Sequence, residues 1–118
     1  MVTLITLESC GKGVYDITPR ILEIVKKSGK NDGVVVVSSL SPLTAIITIE
    51  YESRLLGDLL KLIDELPVKD PYLQISLFPR SIALPLVNGD LELGSFQQVA
   101  LLDLNADKGE RKVGVTIL

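Results

Sequence analysis

Histidine is absent from this 118-residue chain. The side chain most used for proton transfer near neutral pH, which is also the commonest metal ligand, is therefore unavailable. Any chemistry has to rest on carboxylates, hydroxyls, lysines or the single cysteine, Cys10. A lone cysteine forms no intramolecular disulfide, the pattern of a reducing, cytoplasmic setting. Tryptophan is also missing, and only two Phe and three Tyr are present. The core must then be aliphatic, drawn from Ile, Leu and Val. Basic residues are outnumbered, 12 against 15 acidic ones for a net charge of −3. With no basic face, neither nucleic acid nor an anionic membrane is an expected partner. No apolar run approaches the roughly 20 residues that span a bilayer. Met1 to Glu8 alternates in polarity without a basic flank, so it reads as a first strand and not as a signal peptide.

What is present fits one domain over residues 1–118, with no linker, repeat or low-complexity tract. A chain of this size buries roughly two-thirds of its unfolded surface and needs no metal or disulfide for stability. Val2 to Leu7 predicts a strand ending at the Cys10-Gly11-Lys12-Gly13 turn, followed by a short extended piece from Val14. Thr18-Pro19 predicts a helix start, with Thr18 as the cap and Ile17 and Leu22 at staple spacing. Ile21, Ile24 and Val25 form its apolar stripe, and Gly29 ends it after Lys26 and Lys27. The unbroken Val34–Val37 run reads as a strand covered on both faces, and Ala45–Ile49 as a second buried strand.

Ser53 is placed to cap a second helix, whose stripe is Leu55, Leu56, Leu59, Leu62, Ile63 and Leu66 before Pro67. The remainder reads as strand and turn: Leu73–Phe78, then Ser81–Val87. Asn88-Gly89 makes a hairpin to Leu91 and Leu93, and the last strands are Phe96–Leu104 and Val113–Ile117. Pro85 marks an edge position, because it has no ladder donor. The expected fold class is α+β: an antiparallel β-sandwich of about eight strands with two main helices.

Several groups of residues are candidates for a site. Gly11-Lys12-Gly13 lacks the upstream glycine and following Ser or Thr of a phosphate loop, and reads as a turn. Cys10 has Lys12 nearby in sequence but no histidine base to activate it. Ser38, Ser39, Ser41 and Thr44 offer hydroxyl donors for a phosphate or sugar, or turn chemistry between two strands. Glu50 and Glu52 stand at period-two spacing. Such a pair can do acid–base work or hold a divalent cation, and it can equally be solvated, with Glu52 in the first turn of the next helix. Gln97, Gln98 and Asp103 punctuate an apolar strand. They mark either a solvated face or a pocket at a subunit interface.

Two strings, TAIITIEYE (Thr44–Glu52) and LLGDLLKLIDELP (Leu55–Pro67), resemble the YjbQ family. This is a group of small proteins linked to a secondary thiamine-phosphate synthase activity. Tyr15 to Thr18, Ser28-Gly29, Asp32-Gly33, SIALPLVNGDLELGSFQ (Ser81–Gln97), Asp103 and Arg111–Ile117 fit the same pattern in the same order. The resemblance implies a β-sandwich with two main helices, assembled as a homotrimer with sites between subunits.

The departures fall on polar positions. Where the family has a histidine and two hydroxyl residues, this chain has Pro42, Leu43 and Thr44. Its His-x-Lys aligns with Tyr72 and Gln74, and its tryptophan with Phe96, while Gly94 and Gln97 are kept. Its Asn-Glu pair aligns with Glu50-Tyr51, or with Glu52 after a one-residue shift, and its late glutamate with Asp103. By this likeness the histidine chemistry is lost at Pro42 and Tyr72. Thr44, Glu50, Glu52, Gln97 and Asp103 then stand as ligand-binding candidates. One reading is a small-ligand-binding or non-catalytic subunit, alone or beside a histidine-bearing paralogue, with no cofactor and no metal site assigned. The alternative is an enzyme with thiamine-phosphate synthase-like activity that uses carboxylates with Mg²⁺ or Mn²⁺. A purely structural protein is the third.

Overall fold

The computed structural model describes all of residues 1–118. Eight strands and three helices follow in the order β1 (Val2–Ser9), β2 (Gly13–Asp16), α1 (Thr18–Ser28), β3 (Gly33–Ser39), β4 (Thr44–Glu50), α2 (Ser53–Asp64), α3 (Pro71–Ile75), β5 (Ser81–Val87), β6 (Asp90–Leu91), β7 (Gln97–Asp103) and β8 (Gly109–Ile117). Every strand pairing is antiparallel. One sheet has the order β1-β8-β3-β5-β6 and the other β2-β7-β4. No helix is long and apolar enough to cross a membrane.

The two sheets face each other across an aliphatic core that includes Ile5, Val35, Val37, Ile46, Val99, Leu101, Val113 and Val115. Ile21 and Val25 of α1 close one side of it. The period-two alternation of strands sends the neighbours of these residues the other way. Ala45, Ala100 and Leu102 therefore meet Ile63, Leu56, Leu59 and Leu60 of α2, with Ile75 and Phe78, in a second core. The strand β7 feeds both cores, and Val99 through Asp103 have no solvent exposure at all. The molecule is thus three layers: sheet, sheet and helices.

Local signals explain many element ends. Gly29 takes φ 71° and closes α1 with its N–H on the Lys26 carbonyl. Asn88 and Gly89 both take positive φ in the β5–β6 hairpin, as that turn requires. Both backbone groups of Val34, the partner of Pro85, bond to Leu118, so the missing Pro85 N–H faces away from the β3 ladder. Asp64 sits at the unfavourable end of α2, but its carboxylate is paired with Lys12 and its carbonyl accepts from Lys69.

Six expectations need correction. Thr18 does not cap α1: Ile17 occupies that position, and the Thr18 Oγ accepts from Val99 N–H (2.7 Å) and donates to the Val99 carbonyl (3.2 Å). That side chain staples the helix to β7 instead, while the Asp16 carboxylate accepts from Thr18 N–H. The Ile17–Leu22 staple is absent because Leu22 points to solvent. Ser53 is not the cap of α2; Glu52 is. The valine run of β3 is covered on one face only, with Val34 39% exposed on the outside of the five-stranded sheet. Finally, Leu73–Phe78 is not a strand, because Asp70 caps and Pro71 starts the helix α3. In α2, Leu62 also leaves the stripe and is exposed.

The Thr18–Val99 staple makes a direct prediction. Thr18→Val keeps the shape but leaves a buried N–H unpaired, and should lower stability by about 1–3 kcal/mol in urea denaturation.

Candidate functional site

The antiparallel register of β4 against β7 places Thr44 opposite Asp103 and Glu50 opposite Gln97. These pairs occupy opposite ends of the two strands, about 20 Å apart at the usual strand rise. The five candidates therefore form two separate groups within one chain.

At the first end every polar group is committed. Asp103 is fully buried and its Oδ2 accepts from Arg111 Nε (2.7 Å) and Ser9 Oγ (2.6 Å). Its Oδ1 accepts from the Asn105 N–H (2.9 Å) and Nδ2 (2.8 Å). Asn105 Nδ2 also reaches the Pro42 carbonyl, and Arg111 donates to the carbonyls of Glu110 and Asp107. The carboxylate thus ties β1, β7, β8 and the Asn105–Lys108 loop together. Thr44 is buried and its Oγ donates to the Ser41 carbonyl (2.6 Å). Ser39 Oγ donates to the Thr44 carbonyl, and Ser41 Oγ accepts from Lys112 N–H. This is turn chemistry: the hydroxyl protons of Ser39 and Thr44 and a lone pair of the Ser41 oxygen are used within the chain. Ser38 accepts from Ser81 across the β3–β5 pair.

The second end is open. Glu50 and Gln97 are exposed. The Gln97 side chain lies over Gly94, where an added Cβ would sit 3.0 Å from its Oε1. Glu52 is committed to α2: its two carboxylate oxygens accept from Arg54 N–H and Leu55 N–H, each at 3.0 Å. Those two bonds hold its carboxyl below the usual range. No three Cys, Asp or Glu side chains converge on a common point, so Glu50, Glu52 and Asp103 do not make a cation site in one chain. Cys10 is exposed beside the Gly11 turn, and its backbone N–H donates to the Tyr15 hydroxyl.

The two positions that the resemblance aligns with family histidines are both at the surface. Pro42 is exposed, and Tyr72 is 67% exposed on α3. Between Pro42 and Thr44, Leu43 takes φ 57°, and at the other end Phe96 takes φ 63°. A left-handed conformation costs a bulky residue about 1–2 kcal/mol, so strain sits at both groups. The three principal surface hollows, of about 430, 340 and 330 Å³, are lined by none of the five candidates.

Sequence reading missed Ser9, Asn105 and Arg111. The signal for Arg111 was there: it shares the parity of Val113, Val115 and Ile117, so it must point inward with them. A buried guanidinium then needs a carboxylate.

The chain matches the model of the UPF0047 protein YjbQ-like family over residues 3–118. A UPF0047 protein of Methanothermobacter thermautotrophicus is 28% identical over 111 residues, covering 83% of this chain and 78% of that protein. The crystal structure of an uncharacterized conserved YjbQ/UPF0047 family protein from Clostridium acetobutylicum superposes with a TM-score of 0.90. It is 26% identical, and the match covers 98% of this chain and 99% of that one. A YbjQ-like protein of unknown function from Sulfolobus solfataricus shares the fold, with a TM-score of 0.86 and 24% identity over 99% of this chain and 96% of that one.

The buried pair gives the prediction here. Arg111→Met leaves Asp103 charged and underbonded in the interior, and should cost about 3–5 kcal/mol in urea denaturation. Asp103→Leu with Arg111→Met should recover most of that loss.

Proposed function

This chain belongs to the UPF0047 YjbQ-like family, and we propose that within it the protein is a non-catalytic scaffold member. It keeps the family's sandwich and assembles as a homotrimer in the cytoplasm, without the histidine-dependent activity. The observation that supports this reading is the commitment of three candidates to intrachain bonds. Asp103 has four hydrogen bonds, Thr44 binds its own turn and Glu52 caps a helix. The four Asp103 lone-pair sites, the Thr44 proton and one lone pair on each Glu52 oxygen are thereby used within the chain. Glu50 and Gln97 are the two that remain free to touch a ligand or a neighbouring subunit. In place of the lost histidines, Pro42 has no titratable group and Tyr72 offers an exposed phenol instead of an imidazole.

A scaffold of this kind serves either by binding a small anionic or heterocyclic molecule at a composite site or by joining a histidine-bearing relative. The carboxylate–metal alternative has at most the Glu50 and Glu52 pair in one chain, with no third acidic side chain at a common point.

The test is an assay of thiamine phosphate formation from its pyrimidine and thiazole precursors, with and without Mg²⁺ or Mn²⁺, run beside sedimentation equilibrium. The expected result is no product above background, from a species three times the 12.8 kDa monomer mass. Metal-dependent product that is lost in Glu50→Gln would overturn the non-catalytic reading in favour of the carboxylate enzyme. A monomer at tens of micromolar would overturn the trimer.

A further inference from the structure

An open sheet leaves backbone donors and acceptors unpaired along its edges, and the edges of these two sheets are not alike. β6 has two residues and β2 four, and the Ile46 N–H on the free side of β4 donates to the Pro79 carbonyl. β1 is eight residues long and ends the five-stranded sheet. Natural edges are blunted by lysine, proline or a bulge. β1 has none of these: its sequence is VTLITLES, in unbroken register with β8, and its one charge is Glu8.

The register identifies the free groups. The Lys112 carbonyl accepts from Leu40 N–H, so Lys112, Gly114 and Thr116 bond toward β3 and the residues between them toward β1. Thr3, Ile5 and Leu7 are thereby paired. Val2, Leu4 and Thr6 turn both N–H and C=O to the open side. The Thr6 carbonyl accepts from Arg20 at 3.4 Å, in agreement with that parity, and nothing else in the chain reaches these groups.

Helix α1 runs beside the same edge. Arg20 stands at Thr6, and two turns further on Lys27 lines a hollow of about 430 Å³ with Thr3, Ile24, Lys30, Val115 and Ile117. The helix from Arg20 to Lys27 and the strand from Thr6 back to Thr3 both cover about 10 Å. Arg20, Lys27 and Lys30 are exposed and form a row of cations on the inner side of the edge. Glu23 is the one acid in that row, paired with Lys27 at 3.0 Å. The row is therefore basic, on a chain whose net charge is −3. On the outer side of the edge, Val2 and Leu4 are 55% and 58% exposed.

We propose that the β1 edge receives an extended, acidic segment of another protein as an added strand. Main-chain bonds to Val2, Leu4 and Thr6 supply the pairing, and alternate side chains supply the choice of partner. Those on the outer face lie over Val2 and Leu4 and are apolar. Those on the inner face meet Arg20, Lys27 and Lys30 and are carboxylates. A second copy of β1 fits poorly, because its inward side chains Thr3, Ile5 and Leu7 carry no charge. It would also bring its own Arg20 and Lys27 against these cations. The inference goes beyond the scaffold reading above and uses none of its candidate residues.

The probe is a fluorescein-labelled octapeptide of alternating Val and Glu, titrated into the full chain and read by anisotropy and by amide exchange. The expected result is saturable binding, with exchange slowed at Val2, Leu4 and Thr6. Leu4→Pro removes an outward donor at an edge position, where proline is tolerated. It should keep the far-UV circular dichroism and weaken binding at least tenfold. Arg20→Glu with Lys27→Glu should weaken it as much. Lys61→Glu with Lys108→Glu, the same charge change elsewhere on the surface, should not. Equal binding of a Val–Lys octapeptide, or equal loss in the Lys61/Lys108 variant, overturns the acidic partner. No binding and no slowed exchange at the three amides overturns the docking edge. Exchange that slows with protein concentration alone, and quickens at Val2 and Thr6 in Leu4→Pro, places a second copy on the edge and overturns the proposal likewise.

Discussion

A carboxylate with no solvent exposure has to find all its hydrogen bonds inside the protein, and Asp103 does so where three strands converge. Its four bonds come from Ser9 at the end of β1, Arg111 in β8 and Asn105 in the loop between β7 and β8. Asn105 passes the connection on to the Pro42 carbonyl in the β3–β4 turn. The two sheets are therefore tied at this end by polar bonds and along their length by aliphatic packing. Desolvating a charge is costly, and full hydrogen bonding is the condition under which a protein tolerates it. A group with that structural duty cannot also serve a substrate.

The same strand fixes the rest of the arrangement. Because β7 is buried on both faces, its alternate residues must be apolar in two directions, toward the opposing sheet and toward α2. Polar side chains survive only at its ends, Gln97 and Gln98 at one and Asp103 at the other. Pairing with β4 then assigns Glu50 to the first end and Thr44 to the second. The separation of the candidate residues follows from the two-faced burial of one strand. Any site that uses both ends has to be built from more than one copy.

Much of the fold was legible in the sequence because its signals are local. The Asn88-Gly89 hairpin, the Gly29 stop and the apolar runs of β3 and β4 each depend on a few neighbouring residues. Where local signals misled, a tertiary partner had taken over. Thr18 had a better use against Val99 than as a cap, and Asp70-Pro71 turned Leu73–Phe78 into a helix and a turn. The candidate site was less legible. Its residue types were identified, but sequence carries no strand register, and register decides which of them meet. Family likeness pointed to Pro42 and Tyr72 as the counterparts of family histidines, and could not show that Asp103 is held by Arg111.

The central claim is that the Asp103 cluster is a fixed part of the framework and not a vacant site. Native-state hydrogen exchange reads this directly through two amides, Asn105 N–H on the Asp103 carboxylate and Gly11 N–H on Ser9 Oγ. Both lie in turns, where amides ordinarily exchange through small local openings. The account predicts that they exchange as slowly as Leu101 in the centre of β7, only through global unfolding. Exchange at the rate of the neighbouring exposed loop would contradict it.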